Sequence, residues 1–353
     1  MVTCEPYTGP PSAWNDFVRA HPDGTFFHQH EWLQVIRDVY GGKPYYLAAY
    51  DDGRLIGVLP LMLRRVIGAG RVLTSVPFAD VGGICAHGPE AEQVLLEAAA
   101  GLGREKRVSY VELRQLDHAL PGDLPCDLSR VVLRLNLPSS LDELREGLSR
   151  NMRKKLKRAE RDGLTSREYA SLGPAPEAQV NAVGAFYDVY ARNMRDLGSP
   201  MHSLRYFRAI AVAFPEASLC LHVSLEGKVV GAAFAVWSGA TLTVLCAHSL
   251  RRYQQVFPNN LLYWRLFGAA IDRQCSVADF GRSPRGTGIY EFKKLWGMVD
   301  CPLCCAYIPL TKVPRLGERR EGAAYRLFSR LWPHVPMPVA RALGPKLFAR
   351  LPV

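Results

Sequence analysis

The sequence repeats one pattern at a fixed spacing, and this repeat restricts the fold more than any other feature. Residues 52–57 read D-G-R-L-I-G and residues 226–231 read E-G-K-V-V-G, an offset of 174 positions (226 − 52). The same offset relates the residues of the preceding helix, as in Trp32 with Tyr206 and Ile36 with Ile210. Because a register kept over many positions is the signature of a duplicated unit, the sequence predicts two copies of one domain.

The order of predicted elements is the same in both copies. Each copy begins with helices, continues as three antiparallel strands around the acidic-glycine-basic turn, and ends with a helix and a further strand. The chain is therefore predicted to be an α/β (α+β) protein. Its 353 residues suffice for two domains, and a content of 48% hydrophobic and 22% charged residues is that of a folded globular protein.

The charge of the chain favours an anionic partner. The formal net charge is +11, which suits nucleic acid, a phosphate-rich substrate or an acidic membrane face without choosing among them. No basic-then-apolar leader occurs in the first 14 residues. The uncharged run from Val229 to Ser249 is long enough to span a membrane, but residues 237–240, W-S-G-A, interrupt it. Two buried strands joined by a turn are therefore predicted there.

The cysteines indicate neither a disulfide framework nor a metal site. Nine cysteines are scattered through the chain, and an odd number in a protein of this length favours a reducing, cytoplasmic location. Cys301 and Cys304 have C-x-x-C spacing, but no second pair or nearby histidines follow. We therefore expect structural cysteines and no bound metal.

A strongly basic helix is predicted between the two copies. Residues 140–162 read as one long helix with Ser140 as its cap and Glu143 in a capping box. Between Arg150 and Arg161 there are seven Lys or Arg and one acid, Glu160. Such a run is either a solvated helix face or an anion-binding surface for nucleic acid or lipid phosphate. The residues proposed to bind the anion are Arg153, Lys154, Lys155, Lys157 and Arg158.

The element order and the acidic-glycine-basic turn resemble the GNAT acyltransferase fold. Two such domains with a basic helix between them are similar to the FemAB family, whose members are described as aminoacyl-tRNA-dependent transferases that extend peptidoglycan cross-bridges. Residues 292–297, F-K-K-L-W-G, resemble the F-K-x-x-[FW]-G signature of that family. Residues 192–200, 258–264 and 280–288 resemble FemAB-related proteins of exosortase and exopolysaccharide (PEP-CTERM) gene clusters. The resemblance extends over residues 10–310, and the second copy carries the specific motifs.

This resemblance implies acyl transfer, in which an amine attacks an activated carbonyl and an oxyanion must be stabilised. Lys293 occupies the position of the family lysine that stabilises this charge or holds a phosphate. In the first copy, Asp80 is a candidate for accepting a proton from the amine or for binding an acceptor hydroxyl. The loop after the strand at 277–280 suits a phosphate or carboxylate because it combines arginines with glycines. The expected substrate-binding residues are Arg282, Arg285, Gly286, Gly288, Tyr290, Phe292, Asn259, Asn260 and Tyr263.

Two other functions compete with aminoacyl transfer. A coenzyme-A-dependent N-acetyltransferase would use a glycine-rich loop that opens a helix, and residues 65–70, R-V-I-G-A-G, fit its letters. A strand is predicted to follow them, so the required context is missing. In the second copy, residues 251–256 contain no glycine. A FemAB-like chain that acts as a non-catalytic interaction module is the third interpretation, because a fold alone does not establish activity.

The predicted organisation has four parts: a first GNAT-like domain at 1–138, the basic helix with a linker at 139–176, a second GNAT-like domain at 177–310, and a tail at 311–353. The tail holds nine Lys or Arg against two Glu and two short amphipathic helices. It is expected either to contact the inner membrane face or to pack on the domains. Expected partners are tRNA as aminoacyl donor and a lipid- or nucleotide-linked envelope precursor as acceptor, with no tightly bound cofactor.

Overall fold

A computed structural model describes residues 1–117, 120–170, 177–311 and 323–351. The linker predicted at 173–176 and the beginning of the tail, 312–322, lie outside these residues. The chain forms two compact units. The first unit contains Met1–Val131 with the described residues of Cys301–Gly322 and Ala349–Val353, and the second contains Val132–Asp300 with Ala323–Phe348.

The first unit is a twisted sheet with helices. Its sheet has the order β1-β2-β3-β4-β6-β14. The helices are α1 (Pro11–Ala20), α2 (His30–Tyr40) and α3 (Pro89–Glu105). The strands are β1 (Val2–Pro6), β2 (Lys43–Asp51), β3 (Arg54–Val66), β4 (Gly70–Ser75), β5 (Cys85–Ala86), β6 (Tyr110–Leu116), β7 (Cys126–Asp127) and β14 (Val299–Pro309).

The second unit repeats this plan with the sheet order β8-β13-β12-β11-β10-β9. Its strands are β8 (Arg130–Asn136), β9 (Leu164–Ala170), β10 (Ser218–Leu225), β11 (Lys228–Ser238), β12 (Thr241–Ser249) and β13 (Val277–Pro284). Its helices are α4 (Leu141–Gly147), α5 (Arg150–Arg161), α6 (Glu177–Asp196), α7 (Leu204–Ala213), α8 (Pro258–Asp272), α9 (Gly288–Lys294), α10 (Ala323–Leu331) and α11 (Met337–Phe348).

The backbone confirms the duplication at the level of single residues. The turn residues Asp52 and Gly53 have φ of 45° and 80°, and their counterparts Glu226 and Gly227 have 50° and 74°. Positive φ at both central positions is the hairpin geometry that matches strand twist. The β2–β3 ladder shifts register after Ala49, and the β10–β11 ladder shifts after Val223. These two irregularities are again 174 positions apart (223 − 49).

The last strand of each sheet comes from the other half of the chain. β8 follows the strands of the first unit in sequence but pairs with β13. β14 follows β13 in sequence but pairs antiparallel with β6 from Leu303–Leu116 to Pro309–Tyr110. Each unit is therefore completed by a segment exchanged between the two copies, and neither unit is continuous in sequence.

Each unit has its own apolar core. In the first, Leu59, Leu61 and Leu73 on the sheet pack against Leu95 and Ala99 of α3. In the second, Phe186 of α6 and Phe207 of α7 lie 5.6 and 5.4 Å from Phe234 of β11 and 4.8 Å from each other, measured between ring centroids. Burying one such side chain stabilises a fold by about 1.5–3 kcal/mol. These cores hold the sheets and helices that position the site described below.

The basic segment differs from its prediction, because the single helix expected over 140–162 is broken. Leu148 is extended (φ −74°, ψ 144°), and Ser149 caps α5 by accepting a hydrogen bond from Met152 N at 3.2 Å. Ser140 caps α4 as predicted, accepting from Glu143 N at 3.2 Å. A second serine with capping geometry therefore starts a new helix where the apolar stripe alone suggested continuity.

Two further expectations were tested by the fold. The uncharged run at 229–249 is β11 and β12 as predicted, and no helix in the described ranges is long and apolar enough to cross a membrane. By contrast, Cys304 is not unpaired: it forms a disulfide with Cys126, 178 residues away. The two cysteines lie on the paired strands β14 and β7, a proximity that spacing in the sequence does not reveal.

The tail forms the two predicted helices, and α11 packs within the second unit. Arg341 donates to Asp188 of α6 at 2.6 Å, and Gly344 lies against Met201. Phe348 contacts the ring of His202 with centroids 4.0 Å apart. These contacts correspond to the packing that was one of the two expectations for the tail.

Candidate active site

The second unit contains an opening between two parallel strands. β12 and β13 pair only from Thr241–Val277 to Thr243–Asp279. Beyond Thr243, β12 continues to Ser249 alongside β11, while β13 continues to Pro284. Main-chain groups that face a missing neighbour must find another partner. The opening therefore offers strand edges to a ligand.

A bulge accompanies this opening. In the β11–β12 ladder, Phe234 pairs with Cys246 and the next residue, Ala235, pairs with Val244, so that Leu245 is an extra residue. Bulges bend a strand and are frequent next to active sites. The corresponding β3–β4 ladder of the first unit runs without a shift from Leu61–Ser75 to Val66–Gly70. The offset of 174 maps Phe234 and Ala235 to residues 60 and 61, so the β3–β4 ladder begins only after the position of the bulge. What distinguishes the second copy is that β12 stays paired with β11 on both sides of that position.

His248 lies on β12 beyond this bulge and has a defined hydrogen-bond partner. Asn193 of α6 donates its amide N–H to Ser249 O at 2.9 Å, so Asn193 Oδ1 is the acceptor for His248 Nδ1 at 2.8 Å. His248 Nδ1 consequently carries the proton, and Nε2 has a lone pair. Burial lowers the pKa of His248 to about 4. The neutral imidazole can therefore accept a proton at Nε2.

The start of α8 contributes buried polar groups. Phe257 precedes the helix in a left-handed conformation (φ 60°), which is uncommon for a residue with a side chain and marks a constrained turn. Asn259 Oδ1 is buried and has no hydrogen-bond partner among the described residues. Asn260 is 4% exposed and donates to Met152 Sδ at 3.7 Å. Predicted substrate-binding residues thus stand next to the basic helix.

Two cations of α5 lie over Phe257. Arg158 and Lys155 are 5.3 and 5.8 Å from the centre of its ring. The neighbouring face of α5 packs through buried Met152, Leu156 and Ala159. The structure therefore brings the basic helix and the first turn of α8 together, two features that are about one hundred residues apart in sequence.

The remaining cations of α5 form an outward stripe. Arg150, Lys154, Lys157 and Arg161 are exposed and follow the i, i+4, i+7, i+11 spacing of one helix face. Arg161 is paired with Asp162 at 3.2 Å, whereas Lys154 and Lys157 form no ion pair with any described residue. Arg153 is used structurally, donating to Glu146 O at 3.2 Å. The cations predicted to bind an anion therefore differ in their surroundings. Lys154 and Lys157 are exposed without an ion pair to a described residue, whereas Arg153 is hydrogen-bonded to the main chain.

Lys293 points into the protein. It is 5% exposed, and its Nζ donates to Phe280 O at 2.5 Å and to Ser283 Oγ at 2.9 Å. Gly281 O lies 3.4 Å away. These acceptors belong to β13, so the ammonium joins α9 to the end of that strand. Its predicted role in charge stabilisation stays a prediction.

Three side chains of the loop and of α9 surround Asp300, a carboxylate that the sequence analysis did not identify. Arg285 Nε donates to Asp300 Oδ2 at 3.2 Å, and Tyr290 OH lies 3.1 Å from both carboxylate oxygens. Lys294 Nζ lies 3.3 Å from Oδ1. Burial acts to raise the pKa of Asp300, but the hydrogen bonds from Lys294, Arg285 and Tyr290 lower it overall.

The other predicted residues of this region divide between turn and core. Gly286 has φ 72°, as a turn glycine does, and Gly288 begins α9. Tyr263 is 3% exposed and packs 4.5 Å from Phe280 and 5.0 Å from Phe292. Tyr263 is therefore a core residue. Arg282 lies half-buried on β13.

Asp80 belongs to a loop of the first unit that buried polar groups hold in place. Arg114 donates to Ala79 O, and Gln115 exchanges hydrogen bonds with Ile84 N and O, both at 2.9 Å. His28 Nε2 lies 3.1 Å from Gly83 O. Arg114 is fully buried and paired with Glu112 at 2.9 Å. This loop is thus held in place by His28, which lies just before α2, and by Arg114 and Gln115 of β6.

Comparison with known proteins agrees with the fold. Residues 148–294 match a family model described as an acetyltransferase (GNAT) domain, which begins just before α5 and ends with α9. A comparison with curated protein sequences gave no significant match.

Three solved structures are similar in fold over most of the length of this chain. FemX is similar with a TM-score of 0.66 at 14% identity, over 87% of this chain and 98% of that one. A tandem GNAT protein from the clavulanic acid biosynthesis pathway gives 0.54 at 11%, over 89% and 100%. The C-terminal domain of a putative lysylphosphatidylglycerol synthetase from Agrobacterium fabrum gives 0.55 at 14%, over 91% and 95%.

The fold and the matched domain define an acyltransferase built from two tandem GNAT-like domains. In its fold, the chain is similar to FemX. The expected link to exosortase and exopolysaccharide gene clusters stays a prediction.

Proposed function

We propose that this acyltransferase moves an aminoacyl group from aminoacyl-tRNA to an amine of a lipid- or nucleotide-linked envelope precursor. The observation that carries the proposal is the juxtaposition of α5 with the first turn of α8. There, Lys155, Arg158 and the buried Asn259 Oδ1 stand at the start of the helix that follows the opened strand β12. A large anionic donor would be held by these groups and by the outward stripe of α5.

The choice of tRNA over coenzyme A rests on the missing phosphate loops. Residues 251–256 form a 3-10 helix without glycine, and exposed Arg251 and Arg252 occupy it. In the first unit, residues 65–70 form the hairpin between β3 and β4, with Val66 paired to Gly70. A pyrophosphate cradle of main-chain N–H groups needs a glycine-rich loop that opens a helix. The resemblance of residues 292–297 to the FemAB signature implies the same donor.

In the proposed reaction, the acceptor amine attacks the ester carbonyl carbon of the donor. A C–N bond forms, and the C–O bond to the terminal ribose breaks. His248 Nε2 takes a proton from the attacking amine and returns it to the leaving ribose oxygen, so that no net proton is consumed. The main-chain N–H groups of β12 beyond Thr243 stabilise the oxyanion. Lys293 keeps the end of β13 in position.

The experiment compares donors on the full-length protein. Binding of charged tRNA and of acetyl-CoA is measured between 50 and 200 mM salt (about a fourfold range, over which phosphate contacts weaken steeply). The variant Lys154→Gln with Lys157→Gln is expected to weaken tRNA binding and to reduce the slope of log K against log salt by about one per lost contact. The matched control is Arg205→Gln with Arg208→Gln, two exposed arginines of α7.

Tight acetyl-CoA binding that is indifferent to the α5 substitutions would overturn the choice of donor and favour the coenzyme-A-dependent N-acetyltransferase. Equal salt slopes for the α5 variant and the α7 control would rule out α5 as the tRNA-binding surface. Transfer of radiolabelled amino acid to an envelope extract, lost on addition of ribonuclease, would support the proposed donor directly.

The tail is proposed to contact a membrane surface as well as packing on the second unit. Leu327 and Leu331 of α10 are each 59% exposed, and Leu343 of α11 is 46% exposed, with exposed Arg326 and Arg330 beside them. Large apolar residues flanked by cations suit an anionic bilayer. The variant Leu327→Ser with Leu331→Ser should lose co-sedimentation with phosphatidylglycerol vesicles. Undiminished co-sedimentation would refute this contact.

A further inference from the structure

The first unit contains a cavity that the proposed reaction does not use. Its volume is about 430 Å³. It lies where α2 ends, where β2 and β4 begin and where β3 ends, and residues 349 and 350 complete its wall. A cavity of this size is within the range that holds a small organic ligand.

The wall of this cavity combines apolar surface with positive charge. Ile36, Tyr40, Met62 and Phe78 are among its lining residues, and the rings of Tyr40 and Phe78 lie 5.0 Å apart. Among the described residues, the lining includes five cations and no Asp or Glu, a composition suited to an anion with an apolar part. The cations are Lys43, Arg64, Arg65, Arg71 and Arg350.

The strand register places like charges opposite each other. Arg65 and Arg71 are direct partners in the antiparallel β3–β4 ladder, and both are exposed. Like charges directly opposite destabilise a sheet pair. Neither arginine forms an ion pair with a described residue, and the same holds for Lys43 and Arg350. A bound anion would relieve this repulsion.

Hydrogen bonds from β3 and from the hairpin that follows it hold residues 349–351 against the cavity. Arg64 is 8% exposed and donates to Ala349 O at 3.4 Å and to Leu351 O at 3.3 Å. Ile67 N donates to Arg350 O at 2.8 Å. The Arg64 guanidinium also lies 5.3 Å from the centre of the Phe78 ring. The cationic and the aromatic parts of the wall are thus held against each other.

We propose that this cavity binds a phosphate ester whose organic group is apolar or aromatic. The phosphate is held by Arg65, Arg71 and Lys43, and the organic group lies on Phe78 and Ile36. A lipid headgroup and a soluble nucleotide share this chemistry. The site belongs to the first unit and does not depend on the donor proposed for the second.

The test uses the full-length protein and phenyl phosphate as the probe, with binding followed by calorimetry at constant ionic strength. Phenyl phosphate is expected to bind saturably and at least roughly tenfold more tightly than inorganic phosphate, because the apolar wall adds to the charge contacts. The variant Arg65→Gln with Arg71→Gln should weaken the binding of both probes by roughly tenfold or more, since charge-assisted hydrogen bonds are lost.

The control variant is Arg54→Gln with Arg104→Gln, two exposed arginines of the same unit that do not line the cavity. It removes the same charge and should bind phenyl phosphate as the unchanged protein does. Displacement by dioctanoyl phosphatidylglycerol would identify a lipid headgroup as the source, and displacement by uridine monophosphate alone a soluble ester. Absence of saturable binding, or an equal loss in both variants, would overturn the proposal.

Discussion

His248 Nδ1 lies 2.8 Å from Asn193 Oδ1, although 55 positions separate the two residues in the chain. Because the Asn193 amide is fixed by Ser249 O, the imidazole is held in one tautomer with Nε2 as the acceptor. An orienting partner of this kind is what general bases require. The pair is therefore the most specific chemical arrangement in the opening between β12 and β13.

Replacing His248 by Gln should remove the proton acceptor while keeping a polar side chain of similar length. We expect kcat to fall by about 10²-fold or more, which is the usual contribution of a positioned base, with little change in KM for the donor. Steady-state kinetics with the donor identified by the binding comparison provide the measurement. A kcat within a factor of two of the original would exclude His248 as the base.

Asn193→Asp tests the positioning role of the amide. A carboxylate facing Nδ1–H favours the imidazolium and raises the pKa of His248 from about 4. The acid limb of the pH profile of kcat should consequently move to higher pH by roughly one unit or more. An unchanged profile, with the variant folded, would show that Asn193 does not tune the histidine.

Lys293 and its neighbour Lys294 form a matched pair for stability. Lys293→Met leaves Phe280 O and Ser283 Oγ without their ammonium donor, so the free energy of unfolding should fall by about 1–3 kcal/mol or more. Lys294→Met removes only a half-exposed ion pair with Asp300, for which about 0–1 kcal/mol is expected. Urea unfolding measures both, and equal losses would contradict the structural role of Lys293.

His28 makes stability depend on pH. Burial lowers its pKa to about 4, with the hydrogen bond to Gly83 O opposing this, while the ordinary value is 6.5. As pH falls from about 6.5 to about 4, the unfolded chain binds a proton that the folded chain does not, so the free energy of unfolding decreases by up to about 3 kcal/mol.

The substitution His28→Gln should flatten this dependence between pH 7 and pH 4.5, as followed by urea unfolding at several pH values. His202 and His248, whose pKa values burial lowers to about 3 and about 4, act in the same direction and will leave a residual slope. Exposed His334 provides the control. A slope that His28→Gln and His334→Gln alter equally would refute the prediction.

The sequence was sufficient to predict the duplication, because Gly53 and Gly227 need the same positive φ at the same place in the same hairpin. It also predicted β11 and β12 from an apolar run interrupted by a turn. The break between α4 and α5 was missed because the apolar stripe continues through Leu148, and only the geometry of Ser149 as a cap ends the first helix.

The site was harder to predict because its groups come together through the tertiary structure. Spacing alone could not join His248 to Asn193, Lys155 to Phe257 or Arg285 to Asp300. Conversely, Tyr263 was predicted to bind substrate together with Asn259 and Asn260. Its position on α8 directs its side chain into the core instead. Residue type and motif indicated the segments around α8 and β13 as the candidate site. The packing decided which of their side chains are exposed and which belong to the core.

The exchange of the last strands has a consequence for synthesis on the ribosome. β6 ends at Leu116 and its partner β14 begins at Val299, 183 residues later (299 − 116). At about 5–20 residues per second, the nascent first unit presents an open sheet edge for roughly ten to forty seconds. Unpaired edges invite association with other chains. The first unit is therefore complete only when β14, within the last 55 residues of the chain (353 − 298), has been synthesised. A chaperone or a slow codon near β14 would act at the stage at which the open sheet edge is exposed.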